Sequence, residues 1–105
     1  MAKKTNKHIM YRQGDVLFVK VEAPPDEVLT ERKSPVIVEG EVTGHAHRLT
    51  RGRILETAQH MLYLDILTHA QVVHEEHHTI DLEPGVYQVI RQKEYHPEAI
   101  RLVVD

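Results

Sequence analysis

The sequence predicts an all-β protein, a small single-domain barrel or sandwich of about eight or nine short strands. Short apolar runs recur roughly every 8–12 residues along the chain, which is the spacing typical of such folds. Turn residues separate the runs, with five glycines and five prolines among 105 residues. Valine, isoleucine and threonine, which favour strands, supply 27 residues, and a helical face is hard to find.

The predicted elements follow one another between turn signals. A turn at residues 13–15 opens the first strand, and Pro24 and Pro25, which cannot donate to a ladder, end it. Residues 26–35 are polar and predict a turn of helix or a loop. The stretch 51–53 predicts a hairpin turn between the strands on either side of it. The predicted strands are residues 16–21, 36–39, 45–49, 54–56, 61–67, 71–74, 79–82, 86–91 and 100–104.

The chain divides into a polar N-terminal tail over residues 1–10 and one β domain over residues 11–105. The tail is basic, and we expect it to be flexible because its lysines face water. A chain of this length can bury one hydrophobic core and no more.

Composition narrows the range of functions. The chain has no cysteine, which excludes disulfides, thiolate zinc sites and cysteine nucleophiles. Thirteen Lys and Arg against sixteen Asp and Glu give a net charge of −3, which excludes a generally basic nucleic-acid binder. No apolar run approaches the roughly 20 residues of a membrane-spanning helix, and no signal-peptide pattern follows the basic start. We therefore expect a cytoplasmic protein.

Nine histidines are several times the usual number for a chain of this length. Four of them stand alone in the sequence, and we interpret these as surface or hydrogen-bonded residues. They are His8, His60, His69 and His96.

The other five histidines form two groups that predict a metal site. His45 and His47 share one face of a strand, where two imidazoles about 6–7 Å apart can converge on one ion. His74 and His77 can point the same way from a strand end, and His78 can point either inward or outward. The predicted ligands are His45, His47, His74 and His77, and a nitrogen and oxygen site leaves Zn, Fe, Mn, Ni and Cu open. Solvated turn histidines and a metal-free role are the alternatives.

Carboxylates near these groups are candidate ligands, or partners that fix a histidine tautomer. Each is alternatively a solvated turn charge. They are Glu39, Glu41, Glu75, Glu76 and Asp81.

Arg48 directly follows the His-x-His pair and is a candidate for binding a phosphate or carboxylate group of a small ligand. Arg51 and Arg53 extend this basic stretch, which needs no function if it is a solvated hairpin turn. The second basic stretch, residues 91–93 with Tyr95, is equally open to both interpretations.

A glycine before His-x-His, in a small cysteine-free β protein with a later histidine and a Pro-Gly turn, resembles the cupins. Cupins are small β-barrels whose His-x-His and later histidine bind a metal inside the barrel. The resemblance covers about residues 36–91 and implies a cupin-like metal barrel. The order of the motifs differs, since the first glutamate after the pair is Glu56 and the later histidines precede the Pro84-Gly85 turn.

A second resemblance covers most of the chain. Three motifs carry it: RQGDVL at residues 12–17, TGHAHR at residues 43–48, and PGVY at residues 84–87 followed by Arg91 and Gln92. These motifs are similar to those of a family of small uncharacterised proteins of bacteria and their phages. The resemblance implies no activity.

Three functions fit these observations. The first is a metal-binding β-barrel that holds a divalent transition metal and acts on a small polar or anionic substrate. The second is a metal-free nuclease or hydrolase with His45 and His47 as general acid and base. The third is a non-enzymatic accessory or phage-encoded interaction module. A homodimer is compatible with all three, because a small β domain has strand edges to cover.

Overall fold

The structure, a computed structural model, describes residues 9–40 and 43–92. These residues form ten strands and no α-helix, which confirms the all-β prediction. The strands are β1 (Met10–Gln13), β2 (Val16–Val21), β3 (Thr30–Arg32), β4 (Val36–Glu39), β5 (Ala46–Leu49), β6 (Arg53–Glu56), β7 (Leu62–Ile66), β8 (Ala70–Val73), β9 (Ile80–Leu82) and β10 (Gly85–Arg91). Among the described residues, no helix is long and apolar enough to cross a membrane.

The strands form two antiparallel sheets. One sheet has six strands in the order β1-β2-β10-β7-β6-β3, and the other has four in the order β4-β5-β8-β9. Within the described residues neither sheet closes on itself, so the chain forms two open sheets and not a barrel. The chain changes sheet four times, between β3 and β4, β5 and β6, β7 and β8, and β9 and β10. Strands that are distant in the sequence therefore lie next to each other in a sheet, as β2 and β10 do.

The two sheets share one hydrophobic core. Phe18 and Leu64 of the six-stranded sheet belong to the same buried cluster as Ile37 and Val72 of the four-stranded sheet. All four side chains are at most 2% exposed. Alternation of side chains along each strand gives both sheets an apolar inner face, and burying each large side chain stabilises the fold by about 1.5–3 kcal/mol.

The prediction of a hairpin at residues 51–53 is wrong, because the strands on either side of this turn do not pair with each other. The strand before it, β5, pairs with β4 and β8, whereas β6 after it pairs with β3 and β7. The link therefore carries the chain from one sheet to the other. Gly52 has a φ of 108° and makes the turn, but a turn residue does not specify which sheet the next strand joins.

Two strands lie where the sequence predicts none. The first, β1, begins at Met10 inside the predicted tail and pairs with β2. The second, β3, lies within residues 26–35, where a helical turn or loop is predicted, and pairs with β6. Both are edge strands of the six-stranded sheet, and edge strands need little apolar sequence. Residues 1–8 of the predicted tail and the predicted strand at 100–104 lie outside the described residues.

We expect Gly52→Ala to destabilise the fold more than Gly44→Ala. Both glycines have a positive φ, 108° and 87°, which disfavours alanine by about 1–2 kcal/mol. A Cβ at Gly52 would also lie 2.9 Å from the carbonyl oxygen of Asp65 and 2.9 Å from Cδ1 of Ile66. At Gly44 a Cβ meets no atom within 4 Å in the described part of the chain.

Urea unfolding of the two variants measures this difference. The free energy of unfolding should be lower for Gly52→Ala by about 1–3 kcal/mol. Equal losses in the two variants would contradict close packing of this turn against β7.

Candidate functional site

Four histidines come together at one end of the four-stranded sheet. His47 lies on β5 and His74 directly follows β8, and these strands are antiparallel neighbours. The ring centroids of His47 and His74 are 4.5 Å apart, as are those of His74 and His77. The His45 ring lies 5.7 Å from that of His74, and the His47 ring 6.2 Å from that of His77. The structure thus brings together the four predicted ligands.

His45 reaches the cluster from the residue directly before β5. The strand begins at Ala46, one residue later than predicted. The backbone N–H of Gly40 donates to the carbonyl oxygen of His45 at 2.8 Å, which continues the register of Glu39 with Ala46 by one residue pair. His45 therefore lies at the end of the β4–β5 ladder.

His47 is the buried member of the cluster, and Gln13 fixes its tautomer. His47 is 3% exposed, and its Nδ1 lies 2.7 Å from Oε1 of Gln13. The Gln13 Nε2 donates to the carbonyl oxygens of Val72 at 2.9 Å and His78 at 2.8 Å, so Oε1 must be the acceptor. Nδ1 of His47 is therefore the donor, and its Nε2 carries the lone pair that metal binding requires.

The turn between β1 and β2 makes room for another cluster histidine. Gly14 has a φ of 64°, and a Cβ there would lie 2.7 Å from Nε2 of His77. Glycine therefore lets the imidazole ring lie against the backbone of the turn. The backbone N–H of Gln92 donates to the carbonyl oxygen of Asp15 at 2.8 Å, which ties the segment after β10 to the same turn.

His74 has the opposite tautomer. Its Nδ1 accepts a hydrogen bond from the backbone N–H of Glu76 at 3.0 Å, so the neutral ring carries its proton on Nε2. Burial lowers the pKa of His74, the charge of His77 lowers it further, and Glu75 partly offsets both. Binding an ion through Nε2 requires His74 to give up this hydrogen bond or to turn its ring over.

Glu75 brings a fixed negative charge to the cluster. Its Oε1 accepts from the backbone N–H of Ala46 at 2.9 Å, and its Oε2 accepts from Arg48 at 2.7 Å. These hydrogen bonds, that of Ala46 first, lower the pKa of Glu75 to about 2. Ligand atoms of His45, His74 and Glu75 lie within 4.8 Å of one another, which is close enough to hold one ion.

The other predicted polar residues hold different positions. Oε2 of Glu76 lies 3.7 Å from Nδ1 of His45, at the edge of the cluster. Asp81 pairs instead with Nε2 of His69 at 3.6 Å, and Glu39 ends β4 with an exposed side chain. Only one of these three carboxylates therefore approaches a cluster histidine.

Two more histidines are exposed. His60 is bonded through Nδ1 to Oε2 of Glu56 at 2.8 Å, and its side chain is 83% exposed. The ring of His78 is exposed, and this residue serves the site through its backbone carbonyl. Several predicted candidates lie outside the described residues: His8, Glu41, Lys93, Tyr95 and His96.

Burial and neighbouring charges favour the neutral forms of His47 and His74. Burial is the first cause that lowers the pKa of His47, from 6.5 to about 4, and the charge of His74 adds to it. Asp15 partly offsets this shift, whereas His77 and Arg91 lower the pKa further. A neutral imidazole presents a lone pair, which is the form that a metal ion binds.

The sequence analysis missed two residues that build the site. Gln13 and Gly14 were identified only as parts of a turn, yet one orients His47 and the other admits His77. Both residues belong to the RQGDVL motif at residues 12–17, which was the one feature of the sequence that could have drawn attention to them. The motif did not indicate what either side chain contacts.

Fold and site together define a small antiparallel β protein with a histidine cluster where its two sheets meet. Within that class, the chain belongs to the DUF8820 family, a domain of unknown function, whose model matches residues 12–92. The match includes residues of all ten strands and the four cluster histidines, and it agrees with the predicted likeness to an uncharacterised family. No curated protein and no solved structure matches the chain significantly.

We expect the metal-free protein to lose stability as the pH falls from about 6.5 to about 4. His47 takes up a proton near pH 6.5 when unfolded but only near pH 4 when folded. The unfolded state therefore binds more protons in this window, so the free energy of unfolding falls, by about 3 kcal/mol in total. Urea unfolding in a chelator, at a series of pH values, measures this loss. His47→Gln should flatten the decline and His69→Gln should not; an equal slope in both would contradict the assignment.

We also expect Gln13→Met to destabilise the fold by about 2–5 kcal/mol. The side-chain volume is kept, but the carbonyls of Val72 and His78 and the Nδ1–H of His47 lose their partner. The matched control is Gln71→Met, which removes an exposed amide bonded to a carboxylate at the surface and should cost less than about 1 kcal/mol. Equal losses in the two variants, by urea unfolding, would contradict the bridging role of Gln13.

Proposed function

We propose that this protein binds a divalent transition-metal ion through its histidine cluster. The observation that carries the proposal is the gathering of four imidazoles, one of which is the buried His47 whose Nε2 bears the lone pair. Imidazole nitrogens this close together suit one shared cation, and they suit several protons poorly because each added proton repels the next. The proposed ligands come from His45, His47, His74 and His77.

The spacing of the rings supports a shared ion. Two imidazoles bound to one ion at about 2.1 Å have ring centroids roughly 4.5–6.5 Å apart, depending on the angle at the metal. The four measured pairs in the cluster lie between 4.5 Å and 6.2 Å. The ligand atoms of His45, His74 and Glu75 already lie within 4.8 Å of one another, and we propose that His47 and His77 turn their rings toward the same point.

The proposed ligands differ in whether their present hydrogen bonds leave a nitrogen lone pair free for an ion. His47 is the anchor, because Gln13 already holds the tautomer that exposes Nε2 to an ion. His74 joins after it gives up its hydrogen bond to the backbone of Glu76. Glu75 is a carboxylate at every ordinary pH and serves as a ligand or as a counter-charge. Imidazole with carboxylate suits Zn, Fe, Mn, Ni and Cu, and the proposal leaves the choice among them open.

The number of donors permits an open coordination position. An ion held by three protein ligands keeps one position for a ligand from solution, and there it acts as a Lewis acid or activates water. The cluster offers four imidazoles and one carboxylate, so three can bind while the others hold or release protons. The proposed substrates are small polar or anionic molecules.

Elemental analysis of the untagged protein tests this proposal. We expect about one transition-metal ion per chain, and its loss in the His47→Ala variant and in the His45→Ala/His47→Ala double variant. His60→Ala and His69→Ala are the matched controls and should keep the metal, because they remove exposed imidazoles that are paired with carboxylates.

Two results of the metal analysis would contradict the proposal. The proposal fails if the folded, unmodified protein holds no metal after reconstitution, or if His47→Ala and His69→Ala retain it equally. Hydrolytic activity that survives chelation would then favour the metal-free alternative, with the histidines as acid and base.

A further inference from the structure

A pocket of about 410 Å³ lies at the end of β5 opposite the histidine cluster, where two links between the sheets run side by side. Residues 33–35 link β3 to β4, and residues 50–52 link β5 to β6. The backbone N–H of Leu49 donates to the carbonyl oxygen of Pro35 at 2.9 Å, which joins the two links. The volume of the pocket is in the range of sites for small molecules.

Positive charge dominates the lining of this pocket. Among the described residues, three cations and one carboxylate line it: Arg32, Lys33, Arg51 and Glu31. The whole chain carries a net charge of −3, so this excess of positive charge is local. A negatively charged chain repels a long polyanion, and the pocket therefore suits a small anion.

Residues outside the pocket partly compensate two of these four charges. Nε of Arg32 lies 4.0 Å from Oε1 of Glu56. Oε1 of Glu31 lies 4.0 Å from Nη1 of Arg53. The carboxylate of the pocket therefore has a cationic partner of its own, and it does not neutralise the two remaining cations.

Lys33 and Arg51 are the two remaining cations. Within residues 9–40 and 43–92, neither side chain forms an ion pair or a hydrogen bond. Both side chains are exposed, so their charges are available to a ligand from solution.

Two hydroxyl groups add uncharged donors to the pocket. Oγ of Ser34 accepts from the backbone N–H of Val36 at 3.1 Å, and Oγ1 of Thr50 accepts from the backbone N–H of Gln71 at 2.9 Å. Neither hydroxyl donates its own proton to an acceptor in the described part of the chain. Because both residues line the pocket, both O–H groups can donate to a bound oxyanion.

We propose that this pocket binds a phosphate group, either free or as the monoester of a small molecule. A phosphate monoester carries a charge of about −1.5 to −2 at pH 7 and has three acceptor oxygens. The charges of Lys33 and Arg51 match it, and the planar guanidinium of Arg51 can donate two parallel N–H bonds to phosphate oxygens. The hydroxyls of Ser34 and Thr50 supply further donors. The site is separate from the histidine cluster and does not depend on a bound metal.

Arg51 differs in its contacts from the other two arginines of the basic stretch at residues 48–53. Arg48 is bonded to Glu75 at 2.7 Å, and Nε of Arg53 donates to Oδ2 of Asp65 at 3.2 Å. The sequence analysis named Arg48 as the candidate for binding a phosphate or carboxylate group. The proposal assigns that role to Arg51, because its guanidinium has no carboxylate partner among the described residues.

Calorimetric titration of the full-length protein, freed of metal by chelation and then desalted, tests the proposal. The probes are ribose 5-phosphate, inorganic phosphate and uncharged ribose. We expect ribose 5-phosphate to bind about tenfold or more tightly than ribose, and added salt to weaken it, because salt screens the two exposed cations. Inorganic phosphate distinguishes the two sources of the group. It binds as tightly as the ester if the pocket takes free phosphate, and more weakly if the pocket takes a monoester.

Lys33→Gln and Arg51→Gln should each weaken the binding of ribose 5-phosphate by about fivefold or more. The matched control is Lys20→Gln, which removes the same charge from a side chain paired with Glu83 outside the pocket and should leave binding unchanged. The two replaced side chains are exposed and make no bonds in the described part of the chain, so we expect both variants to fold. Urea unfolding checks this.

Three results would overturn the proposal: equal binding of ribose 5-phosphate and ribose, no binding of either phosphate below about 10 mM, or binding by Lys33→Gln and Arg51→Gln as tight as by Lys20→Gln. Backbone amide resonances of the unmodified protein locate the bound phosphate. We expect it to shift those of Thr50 and Gly52. Shifts centred on His47 instead would place the phosphate at the histidine cluster and overturn the assignment.

Discussion

The side-chain amide of Gln13 connects the two sheets at the end where the histidines gather. It is 2% exposed and makes three hydrogen bonds, donating to the carbonyls of Val72 and His78 and accepting from His47. A buried amide or carbonyl that loses its partner costs about 1–3 kcal/mol, so β1, β5 and β8 are held in one arrangement. The bond to His47 also sets the tautomer of that ring, so the orientation of His47 is fixed by the protein alone.

Charge is the second constraint on the cluster. Burial and repulsion from neighbouring histidines lower the pKa of His47 and His74, which favours the neutral form of these two imidazoles. The backbone of Ala46 and the guanidinium of Arg48 hold Glu75 as an anion beside them. This arrangement tolerates one added cation better than several protons, because a single ion places positive charge at one point that several donors share. Local charge and hydrogen bonding thus both support the proposed binding of a cation.

Local features of the sequence predicted where strands begin and end better than they predicted which strands pair with each other. The bounds of β2 and β4 follow from turn residues and apolar runs, which act within a few positions of each other. The partners of β5 depend on which apolar faces meet across the whole chain, and the turn at Gly52 carries no such information. The convergence of the two histidine groups was predicted from their chemistry, whereas the contribution of Gln13 was not, because an amide gains its role only from what the fold places opposite it.

The core indicates what an ion would do in this protein. Thirteen buried residues from both sheets form one apolar cluster, and none of the four clustered histidines belongs to it. Small domains that need a metal to fold lack such a core, and their ligands hold the chain together. Here the sheets pack on each other through apolar contacts, and Gln13 already orients His47. An ion would add stability by linking β5 to the β8–β9 loop, but the fold does not require it as a scaffold. If the proposed ion is bound, its part would therefore be to act on a ligand and not to hold the two sheets together.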